Sequence, residues 1–102
     1  MRIVIVGAGV VGYSLAEQLN YEHHDLALVE QDSSICEAIR EKMDLLVAQG
    51  TGSSLEVLKQ AGIESADMVI AVTPNDEINI LVCGLAEQYG VKRRIARIRN
   101  KE

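Results

Sequence analysis

The chain has 102 residues, which is the size of one domain with one hydrophobic core. Apolar residues make up 48% of it and charged residues 25%, and because Phe and Trp are absent the core must be aliphatic. The net charge is −5, yet residues 92–102 hold six basic side chains and one acidic one. One short basic segment, with no aromatic residues to stack on bases, argues against nucleic-acid binding. No apolar run approaches the roughly 20 residues that span a bilayer, so we expect a cytoplasmic protein without direct membrane insertion.

Apolar strands alternate with helical patterns along the whole chain. Strands are predicted at 2–6, 26–29, 45–48, 68–72 and about 94–98, and helices at 10–20, 33–43, 53–61 and 76–89. Ser33 and Glu37 resemble a capping box at the start of the second helix, and Gly62 and Gly90 follow the third and fourth. Strands joined by helices of ~10–14 residues imply a parallel sheet with right-handed crossovers. We predict a single Rossmann-like, doubly wound α/β domain over residues 1–102, and its layout is typical of a fragment of a longer protein.

A glycine-rich hexapeptide joins the first strand to the first helix, the context in which G-x-G-x-x-G indicates a dinucleotide site. Its residues are Gly7, Ala8, Gly9, Val10, Val11 and Gly12. Gly7 permits a tight turn, Gly9 lets a pyrophosphate approach the backbone, and Gly12 lets the helix pack closely on the strand. The free N–H groups of the helix start favour an anionic ligand there. A glycine turn that only packs tightly is the alternative.

An acidic residue ends the second strand. Glu30 follows Gly12 by eighteen residues, where a carboxylate accepts hydrogen bonds from both ribose hydroxyls of an adenosine and repels a 2′-phosphate. The sequence therefore predicts NAD or NADH, with ATP/ADP possible, rather than NADP. Gln31 is a further candidate contact. The alternative is a solvated acid at a strand end.

Two loops follow the third and fourth strands, at the edge where such sheets bind ligands. Gly50, Thr51 and Gly52 can place backbone amides and a hydroxyl beside an adenine ring, or simply start a helix. Thr73 and Asn75 face the pyrophosphate or the second half of a dinucleotide. We also consider the following residue, Asp76, as a plain helix cap.

The remaining candidates are charged, sulfur-containing or imidazole side chains. Arg97 and Arg99 occupy alternate positions, so both point to one face, where one can clamp a phosphate or both are solvated. Cys36 and Cys83 lie in apolar helical patterns and are predicted to be small core residues rather than a disulfide. A metal site has little support from the sequence.

Motifs beyond the glycine turn resemble the RCK/KTN family, the TrkA N-terminal domain of potassium transport systems. They are VxQGxGS at 47–53, VLxxAG at 57–62, ADM at 66–68, AVTxxDExN at 71–79 and IARIR at 95–99. The resemblance implies a peripheral protein at the inner membrane, not an enzyme, that binds NAD(H) or ATP/ADP and gates a membrane potassium transporter subunit. By position it implies nucleotide contacts at Gly7, Gly9, Gly12, Glu30, Thr73 and Arg97.

One motif departs from the family pattern. Many members carry Gly-Asp-Ala after the third strand, where the Asp helps to hold the adenine end, and here Gly50-Thr51-Gly52 stands in that place.

The alternative function is a catalytic NAD-dependent oxidoreductase, which needs an acid–base group beside the nicotinamide. The histidines, His23 and His24, precede the second strand and so belong to the opposite edge of the sheet.

The helix after Pro74 is apolar on nearly all sides. The stripe expected to cover the sheet comprises Ile78, Leu81, Val82, Leu85 and Tyr89. Ile80 and Cys83 add apolar surface elsewhere on the circumference. Because a helix of this kind usually packs against something on both sides, we expect a homodimer or higher assembly through it. Apolar residues that are simply tolerated at the surface are the alternative.

Overall fold

A computed structural model describes residues 1–99 of the chain. Five strands form one sheet: β1 (Arg2–Val6), β2 (Asp25–Glu30), β3 (Leu46–Gln49), β4 (Met68–Ala71) and β5 (Arg93–Ala96). Four helices alternate with them: α1 (Val10–Tyr21), α2 (Ser33–Lys42), α3 (Leu55–Gln60) and α4 (Asp76–Gln88). A short 3-10 turn at Ile63–Ser65 was not predicted. Within this described range, no helix combines the length and the apolar character needed to cross a bilayer.

The sheet is parallel throughout, with the strand order β3-β2-β1-β4-β5. The chain steps from β1 to β3 in one direction and then crosses back to place β4 on the other side of β1. This reversal opens a crevice between the carboxyl ends of β1 and β4, where sheets of this kind bind their ligands. The predicted Rossmann-like, doubly wound fold is confirmed.

The central strand β1 is buried on both faces, which explains its unbroken aliphatic sequence. Val4 and Val6 pack into the core beneath α3 and α4, whereas Ile3 and Ile5 pack beneath α1 and α2. None of the four is more than 2% exposed. Full burial of such a side chain stabilises the fold by roughly 1.5–3 kcal/mol, so β1 anchors both layers.

The helix caps differ from the prediction at two positions. Asp32, not Ser33, caps α2, because its Oδ1 accepts from the Ser34 amide at 2.9 Å and the Ile35 amide at 3.3 Å. Ser33 is already the first helical residue. The Ser34 hydroxyl also donates to Asp32 Oδ1, at 2.6 Å. This bond first, and then those from the Ile35 and Ser34 amides, lowers the pKa of Asp32. At α4 the cap is Asn75, whose Oδ1 accepts from the Ile78 amide at 3.0 Å.

Four of the five residues expected to cover the sheet from α4 do pack against the core: Val82 is buried, and Ile78, Leu85 and Tyr89 are partly buried. Leu81, expected to cover the sheet, is 44% exposed, and its neighbour Ile80 is 57% exposed. The fully buried positions are Asn79, Val82 and Ala86, which lie three and four residues apart on one helical face. The prediction was wrong at Leu81 and did not include Asn79, a polar residue that takes a core position.

Both cysteines are free, as predicted for small core residues. Cys36 is buried and its thiol donates to the Glu30 carbonyl oxygen at 3.3 Å, while Cys83 is half-buried. Burial raises the pKa of both thiols, so each remains protonated at neutral pH.

We expect Gly52→Ala to destabilise the fold and Gly84→Ala to stabilise it. A Cβ at Gly52 would lie 2.6 Å from Val6 Cγ1 and 3.2 Å from Ile78 Cγ2, and such overpacking costs about 1–3 kcal/mol. A Cβ at Gly84, inside α4, meets nothing within 4 Å, so the helix gains roughly 0.5–1 kcal/mol. Urea unfolding measures both changes. A Gly52→Ala variant as stable as the wild type would contradict this packing.

Candidate functional site

The turn after β1 brings the start of α1 to the crevice. Gly7 has a φ of +106°, and its N–H donates to the Val29 carbonyl at 2.8 Å, which ties the turn to β2. A Cβ at Gly12 would lie 1.8 Å from the Gly7 carbonyl oxygen, so α1 rests directly on the turn. Gly9, which precedes α1, contributes no side-chain cap. The first N–H groups of α1 therefore have no acceptor within the helix and are available to an anion.

Gly9 borders open space. A Cβ built on it has no neighbour within 4 Å, in contrast to Gly12 and Gly52. The fold itself therefore does not require glycine here, and the space above the backbone is of the kind a phosphate group would fill. This is the feature that best separates a ligand cradle from a turn that only packs tightly.

The Glu30 side chain links the turn after β1 to the loop after β2 by two hydrogen bonds. Its Oε1 accepts from the Ala8 amide at 2.8 Å and its Oε2 accepts from the Asp32 amide at 2.9 Å. Each carboxylate oxygen has a second lone pair, so both can still accept a hydrogen bond from a ribose hydroxyl. The sequence indicated the ribose role, but not the internal role in holding the turn.

A cavity of about 410 Å³ lies on the Glu30 side of the turn. It brings together most of the predicted site residues: Gly7, Ala8, Gly9, Glu30, Gln31, Gly50, Thr51, Gly52, Thr73 and Asn75. Their side chains are not equally free. The Asn75 amide caps α4, and the Thr73 hydroxyl lies 2.7 Å from Asn79 Oδ1. Thr51 Oγ1 is 3.0 Å from Ser53 Oγ at the outer side of the cavity.

A second cavity of about 500 Å³, the arginine groove, lies on the other side of the turn. It is lined by Gly9, Val10, Val11, Val72, Pro74, Arg97 and Arg99. The two arginines thus share one face, as predicted, although β5 itself ends before them at Ala96. The two cavities have Gly9 and Pro74 in common, so a ligand can extend from one to the other across Gly9. Of the predicted site residues, only Gly12 lines neither cavity.

Asn79 was missed by the sequence analysis, although it is completely buried beside the site. Its side chain bonds to Thr73 and to the carbonyl of Arg97. The available signal was its place as the last residue of the motif at 71–79, which does not by itself distinguish a buried amide from an exposed one.

A model of the TrkA-N domain family matches residues 3–102 of the chain. The Trk system potassium uptake protein TrkA of Haemophilus influenzae is 47% identical over 103 residues, which cover 100% of this chain and 22% of that protein. The chain therefore spans much less than half of that relative. The resemblance of the sequence motifs to the RCK/KTN family is confirmed.

Two solved structures share the fold at low sequence identity. The Kef C-terminal domain of Shewanella denitrificans, in an AMP-bound form, has a TM-score of 0.76 at 18% identity and is matched over 93% of this chain and 57% of that one. An anaerobillin reductase from Escherichia coli O157:H7 has a TM-score of 0.76 at 19% identity over 92% of this chain and 48% of that one. Because one of them is a reductase, the fold by itself does not identify the function.

We expect Glu30→Ala to open the turn even without a ligand. Removing the carboxylate leaves the Ala8 and Asp32 amides without their acceptor, a loss of about 1–2 kcal/mol at this half-buried position. Their hydrogen exchange, measured by NMR, should quicken by roughly tenfold or more. Glu30→Gln is the matched control, because it keeps one acceptor oxygen and should protect one of the two amides. Unchanged exchange at both amides in Glu30→Ala would contradict the proposed fastening.

Proposed function

The chain belongs to the TrkA-N domain family, and from this premise we propose that it is a nucleotide-binding regulatory domain of a potassium uptake system. The ligand would be NAD(H) or ATP/ADP. The observation that carries the proposal is the open space at Gly9, between two cavities at the carboxyl edge of the sheet. The name of the Haemophilus influenzae relative supports the assignment to potassium uptake.

The residues present fit an adenosine nucleotide in one orientation. The adenosine would occupy the Glu30 cavity, with its ribose hydroxyls donating to the Glu30 carboxylate and its base near Thr51. The phosphates would accept hydrogen bonds from the first amides of α1 as they pass Gly9. The rest of the ligand, either further phosphates or a nicotinamide riboside, would enter the arginine groove.

The charge at the ribose end favours ligands without a 2′-phosphate. Glu30 lines the cavity together with Asp32, whose lowered pKa keeps it ionised well below neutral pH. A 2′-phosphate would lie among these carboxylates, and within residues 1–99 the cavity lining includes no Lys or Arg. This arrangement supports NAD(H) or ATP/ADP as the ligand and argues against NADPH.

We propose regulation rather than hydride-transfer catalysis. An oxidoreductase needs a proton donor or acceptor beside the nicotinamide, which in this orientation lies in the arginine groove. Among residues 1–99 the groove is lined by apolar residues and by two arginines, and a guanidinium group does not act as a general acid or base. The histidines lie at the opposite edge of the sheet, where His24 Nε2 is 3.4 Å from Glu22 Oε1.

We further propose that the domain acts at the cytoplasmic side of the inner membrane through a transporter subunit, and that it pairs with a second copy through α4. The support is the exposed pair Ile80 and Leu81, adjacent on the solvent side of that helix. In an isologous dimer the same patch is used on both chains, and a ligand that favours one dimer geometry could transmit its binding to the transporter.

The nucleotide site is tested by Gly9→Val. Because nothing in the fold occupies the space at Gly9, the variant should fold normally, while the added side chain should lower the affinity for NADH or ATP by about tenfold or more, which is ~1.4 kcal/mol. Calorimetric titration gives the affinity and thermal unfolding checks the fold. Gln60→Val, at an exposed position that lines neither cavity, is the control and should bind like the wild type. Equal affinities of wild type and Gly9→Val would refute the site.

The dimer is tested by Ile80→Glu. A charge at the centre of a shared apolar patch would face its own copy across the two-fold axis, so the variant should be monomeric where the wild type is dimeric. Sedimentation velocity at high micromolar concentration measures the difference. Tyr21→Glu, at an exposed position of α1, adds the same charge outside the proposed interface and is the control. A wild-type chain that sediments as a monomer at this concentration would rule out the interface for the isolated domain.

A further inference from the structure

Asn79 is the one polar side chain among residues 1–99 that lies fully in the core, at 0% exposure. Its Oδ1 accepts from the Thr73 amide at 2.9 Å and from the Thr73 hydroxyl at 2.7 Å. Its Nδ2 donates to the Thr73 carbonyl at 3.0 Å and to the Arg97 carbonyl at 2.9 Å. An asparagine side chain has two acceptor and two donor positions, so its hydrogen-bonding capacity is completely used.

A buried amide of this kind contributes geometry more than stability. Its desolvation offsets most of the gain from its hydrogen bonds, and an apolar side chain of similar size would avoid that cost. The four bonds are satisfied only in one arrangement of the ends of β4, β5 and the start of α4. Asn79 therefore fixes where the loop after β4 lies relative to the segment after β5.

The segment that carries the arginines is held at several points. The Arg97 amide donates to the Ala71 carbonyl at 2.9 Å, which extends the ladder between β4 and β5, and its carbonyl accepts from Asn79. Two residues later the Arg99 amide lies 3.0 Å and 3.1 Å from the two carboxylate oxygens of Asp76. Both Asn79 and Asp76 belong to the first turn of α4, so this turn sets the position of residues 97–99.

Arg97 lines the arginine groove and has a hydrogen-bond donor that no described residue matches. Its Nε is shielded from solvent and has no hydrogen-bond partner within residues 1–99, while the side chain lines the groove beside Gly9. A shielded donor on a guanidinium is costly to leave unmatched, and a ligand phosphate is the acceptor that a guanidinium fork fits best.

We propose that Asn79 is a positioning residue for the arginine groove, and that it acts on ligands that reach the groove but not on those confined to the Glu30 cavity. The inference rests on the proposed nucleotide function. ATP extends past Gly9 towards Arg97, whereas AMP ends at the first phosphate. Asn79 thus sets the preference for the longer ligand. Because it lies on α4, it also links occupancy of the groove to the helix that carries Ile80 and Leu81.

The experiment is calorimetric titration of ATP and of AMP into the wild type, Asn79→Leu, Arg97→Ala and the double variant. Asn79→Leu keeps the branching and the number of heavy atoms of the side chain and adds no charge, but it loses the bonds to Thr73 and Arg97. We expect it to weaken ATP binding by about tenfold and AMP binding by less than about twofold. In the double variant, the loss for ATP should match that of Arg97→Ala alone within about twofold, because both substitutions remove one interaction.

Val82→Ala is the matched control for a loss of stability. Val82 is equally buried on the same helix but forms no polar contact, so its truncation should lower the melting temperature without changing the ratio of ATP to AMP affinity. If Asn79→Leu does not fold, Asp76→Ala decides the question, since it releases the Arg99 amide from a partly exposed position. The same selective loss of ATP is expected there, by roughly threefold.

The results that overturn the inference differ from those that overturn the function. Equal losses for AMP and ATP in Asn79→Leu, or in Asp76→Ala if that variant decides, would mean a structural role only. Additive losses in the double variant would mean that Asn79 does not act through Arg97. Either result would leave the proposal of nucleotide binding unaffected. A folded wild type that binds neither ATP, AMP nor NADH would refute the proposed function, and the role of Asn79 with it.

Discussion

The contact between α1 and the turn beneath it is the constraint on which the rest of the site depends. The two backbones are so close that a Cβ at Gly12 would lie 1.8 Å from the Gly7 carbonyl oxygen. This contact directs the first amides of α1 towards the crevice and leaves Gly9 facing open space. The other candidate contacts reach the same crevice because parallel strands all end at one edge of the sheet. Glu30 then bonds to the Ala8 amide and fixes the turn from the side.

Much of the fold was predictable because its information is local. β1, β2 and β4 are short aliphatic runs, which is typical of strands covered on both faces. Because a helix follows each of them, consecutive strands are joined by crossovers and run parallel. The glycine turn and Glu30 could be located from spacing alone. Once the strands are parallel, the loops after β3, β4 and β5 must lie near the turn, and the cavities bring these predicted residues together.

The parts that could not be predicted depend on partners distant in the sequence. Asn79 is a core residue because the Arg97 carbonyl, eighteen residues away, accepts from its amide, and no local pattern reveals that pairing. The bond from the Ala8 amide to Glu30 spans twenty-two residues. The predicted cap of α2 was wrong for a different reason. Asp32 and Ser33 are adjacent residues of types that both cap helices, so only the backbone conformation decides between them. The same holds at the start of α4, where Asn75 and Asp76 are both possible caps and the structure uses Asn75.

The core beneath the loop after β3 confines substitution in that loop to a single position. A Cβ at Gly50 would lie 2.5 Å from Val57 Cγ2, and one at Gly52 would lie 2.6 Å from Val6 Cγ1, so the core beneath fixes both glycines. Thr51, between them, lines the cavity. A chain that keeps this core can therefore change the cavity lining at this loop by substituting Thr51 alone, whereas a side chain at either flanking glycine would have to displace Val57 or Val6.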